Sequence, residues 1–131
     1  GMLKWGDLFN SRQKLALITF TEKVRLAYKK MVEEGYDEEY AKAVVSYLGL
    51  IVSRMADFLS NLCFWYNHVE NPGHVFGRQA LGMTWDIFEL NPFSLKGQGT
   101  YESMLKQSLI PLSHLSQIPP VEHKQEEEWK T

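Results

Sequence analysis

Apolar positions recur every three to four residues over most of this chain. After an apolar lead-in from Trp5 to Phe9, Asn10 stands three residues before Gln13, the spacing of a helix N-cap and capping box. Leu17, Phe20, Val24, Ala27, Tyr28 and Met31 then share one face until Gly35 supplies a left-handed stop. This spacing predicts a first helix of about 24 residues, roughly 36 Å long. Asp37 caps a second helix, with Glu38 and Glu39 favourably placed in its first turn, running to about Asn67. It carries two apolar stripes. Tyr40, Val44, Tyr47, Ile51, Met55, Phe58, Leu62 and Trp65 form one, and Val45, Leu48, Val52, Leu59, Cys63 and Tyr66 the other. Apolar residues on so much of the circumference predict a central, buried helix.

A narrow polar strip escapes that pattern: Ser46, Ser53, Arg54, Asp57, Ser60 and Asn61. Arg54 and Asp57 at i and i+3 predict an intrahelical ion pair, with a ligand-facing role as the alternative. Beyond the turn at Asn71-Pro72-Gly73, Met83, Ile87 and Leu90 have helical spacing, and Pro92 ends that short helix. Gly97 and Gly99 loosen the next connection. Thr100 caps a further helix to about Ile110, which Pro111 kinks or ends. The predicted fold class is all-α, a helical bundle around two long antiparallel helices with shorter C-terminal helices. Residues 2–118 form a single domain. Residues 119–131, with the run Glu126-Glu127-Glu128, have too little apolar content to fold alone and are expected to be a mobile acidic tail.

Composition narrows the function classes. The 131 residues suit one domain, and 14 basic against 16 acidic residues argue against a generic phosphate-binding surface. Cys63 stands alone, and no apolar run is long enough to span a bilayer, so a cytoplasmic protein with no membrane role is expected. Gly1 ahead of Met2 has the look of a tag remnant, with Met2 as the native start.

Candidate chemistry is sparse. Cys63, His68 and His74 match no standard zinc spacing, and Cys63 falls on an apolar stripe where a thiol is inert, so no metal and no thiol nucleophile are expected. Asp86 and Glu89 lie one helical turn apart without a second pair or a histidine; capping, pairing with Arg54 or Arg78, or interface contact suits them better than acid–base work. Asn91-Pro92-Phe93-Ser94 is similar to the (Asp/Asn)-Pro-Pro-(Tyr/Phe) loop with which amino-methyltransferases hold a flipped base. The second proline is absent, and the segment reads instead as a helix stop with Phe93 anchored in the core.

Three blocks together carry a family resemblance. The run Trp5-Gly-Asp-Leu-Phe-Asn-Ser-Arg12-Gln13, the strip with Arg54, Asp57, Ser60 and Trp65, and the block Phe76-Gly-Arg78-Gln79 through Met83, Trp85-Asp86, Glu89 and Asn91-Pro92-Phe93 resemble the middle section of large adenine-specific DNA methyltransferase-like proteins. Those proteins bear an N-terminal domain of unknown function and often a zinc ribbon. The likeness spans roughly residues 5 to 115. In that family a Gly-rich cofactor motif precedes this section and an Asp-Pro-Pro-Tyr loop follows it. Neither occurs here, so no cofactor and no catalytic residue carries over.

The resemblance implies a helical module between the cofactor and catalytic halves, positioning DNA or holding the parts together, non-catalytic by itself. Its partners would be DNA or a methyltransferase-like catalytic chain or domain. Arg12, Gln13, Arg54, Asp57, Asn61, Arg78, Gln79, Trp85, Asp86, Glu89 and Asn91 are the expected contact residues, since Arg and Gln pair hydrogen bonds with base edges or phosphate. Two other readings stand beside it. One is a self-associating scaffold with no nucleic-acid role: seventeen aromatic residues, among them Trp5, Tyr36, Tyr40, Phe64 and Trp85, suit a homodimer that completes its core across a symmetric interface. The other is a small-molecule pocket lined by Trp65, Trp85, Asp86 and Asn61.

Overall fold

Helix termini dictated by local chemistry frame the molecule, for which a computed structural model describes residues 2–119. The expected tail, residues 119–131, lies outside the described residues apart from Pro119. A single 3-10 turn, Trp5–Leu8, leads into helix α1, Ser11–Glu33. The Asn10 side chain accepts from the Gln13 backbone N–H at 2.9 Å, and the Gln13 side chain accepts from the Asn10 N–H at 2.9 Å. At the other end Gly35, at φ 85°, donates to the Val32 carbonyl while Tyr36 donates to that of Met31, a Schellman closure. Asp37 accepts from the Tyr40 N–H and opens helix α2, Glu38–Phe58. Lys42 bridges Glu38 and Glu39 on its first turns.

The described residues are mostly helical, with three α-helices and one minimal sheet among them. Strands β1, Trp65–Tyr66, and β2, Asn71–Pro72, pair antiparallel, Trp65 opposite Pro72 and Tyr66 opposite Asn71. Helix α3, Tyr101–Leu115, begins at Thr100, whose hydroxyl accepts from the Ser103 N–H, and continues through Pro111. Ile51, Met55 and Phe58 of α2, with Leu59 just after it, meet Met104 of α3 in the core, with Leu17 and Phe20 of α1 and Leu90 packed around them.

Three expectations are corrected here. The second helix does not reach Asn67: it ends at Phe58 because Ser60 and Asn61 turn away to donate to the Leu8 carbonyl, at 3.0 and 2.8 Å, and Cys63 donates to the Phe58 carbonyl. Nor is it buried all round, since Tyr40, Tyr47 and Leu50 are exposed and one stripe, Ala41, Ile51, Met55 and Phe58, is covered. Residues 83–90 form no helix. Eight residues make a marginal helix unless packing holds them. Here Phe88 packs on Trp65, with ring centroids 4.9 Å apart, and Glu89 binds α1 instead.

Candidate functional site

The long segment between α2 and α3 is tied down at two points. At the first, the Asp57 carboxylate takes His74 Nδ1 at 2.6 Å and the Phe76 N–H at 2.8 Å, while the Asp57 carbonyl accepts from the Val75 N–H. Asp57 therefore staples the loop after β2 onto the end of α2. The predicted Arg54–Asp57 ion pair does not form; the Arg54 guanidinium instead lies 5.9 Å from the centre of the Phe58 ring. At the second, Glu89 receives Arg12 through both carboxylate oxygens, Nε to Oε1 at 3.1 Å, and Asn10 Nδ2 at 3.1 Å. Arg12, then Asn10, hold the Glu89 carboxyl below its usual range, and Glu89 holds the Arg12 guanidinium above its own.

That second anchor gathers four of the expected contact residues. Arg12, Gln13, Glu89 and Asn91 surround a cavity of about 360 Å³ whose apolar walls include Leu59, Leu90 and Phe93. Asn91 Oδ1 accepts from the Phe93 N–H, turning the chain before Pro92 can extend it. Phe93 is largely exposed rather than anchored in the core, though its ring stacks on Phe20 at 5.5 Å. The remaining candidates lie apart. Asn61 is half-buried and its carbonyl accepts from the Thr84 hydroxyl at 3.4 Å. Arg78 and Gln79 are exposed, and Arg78 lines a separate cavity of about 470 Å³ with Phe64, Tyr66 and His74. Trp65, Trp85 and Asp86 border a cleft of about 420 Å³, but Asn61 does not line it.

Between the anchors the chain is unusually bare. From residue 77 to 90 no backbone N–H or C=O makes a hydrogen bond within the described residues. Met83, Trp85 and Ile87 are 77%, 90% and 80% exposed, and Leu81 is exposed beside them. Scattered surface apolar residues are ordinary, whereas several large ones on one short segment mark a contact surface.

Chemistry within the chain is correspondingly thin. Among the described residues no three His, Cys, Asp or Glu side chains converge as a metal site. The Cys63 thiol is fully buried, and burial, seconded by the Asp57 charge, pushes it up to about 11. His74 and Asn10 were not among the expected contacts. His74 lies 17 positions from Asp57, beyond any helical period, and Asn10 was recognisable only as a cap. No helix among the described residues is long and apolar enough to cross a membrane. Comparison with models of known families, with curated proteins and with solved structures finds no match to this chain.

Proposed function

We propose that the chain is a non-catalytic helical module of a DNA adenine methyltransferase-like system, and that it holds catalytic parts together rather than reading DNA. The observation that carries this reading is the exposed apolar segment from Leu81 to Ile87, fixed at both ends by Asp57 and by Arg12 with Asn10. A surface of that kind gains most by docking on another protein. Direct DNA contact has less support. Arg12 is neutralised by Glu89, and the chain as a whole carries a net charge of −2. Arg78 and Gln79 are the remaining exposed pair suited to base edges or phosphate.

The test mixes the protein with a methyltransferase-like catalytic chain that supplies the Gly-rich and Asp-Pro-Pro-Tyr elements, followed by light scattering. A one-to-one complex that is lost in the triple variant Met83→Ser, Trp85→Ser, Ile87→Ser supports the reading. A complex indifferent to those substitutions contradicts it. The same segment favours a second reading, a self-associating scaffold in which another copy covers Trp85 and Ile87. A mass that doubles with concentration, in the absence of any partner, selects that alternative.

A further inference from the structure

We infer that the cavity lined by the β1–β2 hairpin and residues 77–84 binds a small organic acid, an apolar body carrying a single carboxylate, with Arg78 as the partner of that carboxylate. The cavity holds about 470 Å³, within the range of small-ligand sites, and Leu62, Phe64, Val75 and Met83 give it apolar walls. Part of this lining is fixed in advance. The Gly73 N–H donates to the Phe64 carbonyl at 2.6 Å, and the Phe64 ring sits so close that a Cβ on Gly73 would fall 2.6 Å from it. The same ring meets Tyr66 edge-on, with centroids 4.7 Å apart. His74, also on the wall, is held by Asp57 at Nδ1 and lies against the Phe58 ring at 4.4 Å. The rest of the lining comes from the bare segment, whose backbone from 77 to 84 makes no hydrogen bond within the described residues. That part can adjust around an occupant, and its N–H groups are donors still to be used.

Charge decides the class of occupant. No Asp or Glu lines the cavity, and Arg78 is its one full positive charge, since any charge on His74 is matched by Asp57. Arg12 is neutralised by Glu89, whereas Arg78 is exposed and forms no ion pair among the described residues. A guanidinium offers a planar fork that takes both oxygens of a carboxylate. One such charge balances a monoanion, and a phosphate monoester would bring a second negative charge with nothing to meet it. The site is formed by the chain alone and stands whether or not the segment around Trp85 meets a partner.

The experiment follows the Leu62, Val75 and Met83 methyl signals and the Arg78 Nε–H signal of the full chain by NMR as naphthoate, or its neutral amide, is added. Naphthoate is expected to shift all of them and to bind roughly tenfold more tightly than the amide, the lower end for hydrogen bonds to a charged group because Arg78 is exposed. Arg78→Gln keeps a donor without the charge and should bring the two probes to equal affinity. Arg78→Lys keeps the charge without the fork and should retain part of the preference. Equal binding of naphthoate and its amide to the native chain would overturn the inference, as would a preference for naphthoate that survives Arg78→Gln. So would shifts confined to the Leu59 and Leu90 methyls, which line a different cavity, or no shift at the solubility limit of naphthoate.

Discussion

Replacing Asp57 by alanine should detach the loop after β2 from the end of α2. Two hydrogen bonds to the carboxylate disappear, one from the Phe76 N–H at 2.8 Å and one from His74 Nδ1 at 2.6 Å. A charge-assisted bond to a backbone N–H contributes about 1.5 kcal/mol, and a half-exposed imidazole contact about 0.5 kcal/mol. The expected loss is therefore about 2 kcal/mol, against a total of about 5–15 kcal/mol for a domain. At roughly 3–5 °C per kcal/mol for a chain of this size, Tm should fall by about 6–10 °C. Asp57→Asn keeps an oxygen for Phe76 and should cost about half as much. Arg54→Ala should leave Tm almost unchanged, because Arg54 faces the Phe58 ring and not Asp57. Differential scanning calorimetry of the three variants decides the matter. A fall of less than 2 °C for Asp57→Ala, or equal losses for Arg54→Ala and Asp57→Ala, would refute the staple.

Other consequences follow from single positions. Gly99 has φ 78°, and a Cβ there would come within 2.7 Å of the Leu90 side chain and 3.2 Å of the Phe58 ring, whereas Gly35, at φ 85°, has open space around it. Gly35→Ala should cost about 1–2 kcal/mol in chemical denaturation and Gly99→Ala clearly more; equal costs would place the Leu90 contact wrongly. Glu89 is held below its usual 4.5, so its folded state favours the ionised form. That stabilisation is complete above 4.5 and fades as pH falls through the lowered value, so Glu89→Gln should flatten the acid limb of a Tm-against-pH curve. Cys63 is buried with its thiol pushed up to about 11, so a thiol-specific reagent at pH 8 should label it at the rate of unfolding and no faster.

What the sequence disclosed and what it hid divide along the range of the interactions. The caps at Asn10 and Asp37 and the stop at Gly35 are chemistry between residues three to five apart, and each was readable from residue type and spacing. The end of α2 was not, because no glycine or proline marks it. It is decided by Ser60, whose hydroxyl reaches a carbonyl 52 positions away, on Leu8. The same holds at residues 83–90, where helical spacing is overruled by Phe88 meeting Trp65 and by Glu89 meeting Arg12, 77 positions away. The candidate contacts were singled out individually. Their separation into an anchored group around Arg12 and Glu89, a staple at Asp57 and a bare segment around Trp85 is a consequence of tertiary pairing that periodicity does not carry.

Hydrogen–deuterium exchange across residues 77–90, measured on the chain alone and then mixed with a methyltransferase-like catalytic chain, tests the proposed docking role of this segment most directly. Alone, these amides lack hydrogen-bond partners within the described residues and should exchange at nearly unprotected rates. In the mixture the segment around Met83, Trp85 and Ile87 should become strongly protected, while α1 and α2 keep the protection they already had. A complex that forms yet leaves residues 81–88 exchanging freely would contradict a docking role for this segment, and strong protection in the monomer would contradict the bare conformation itself.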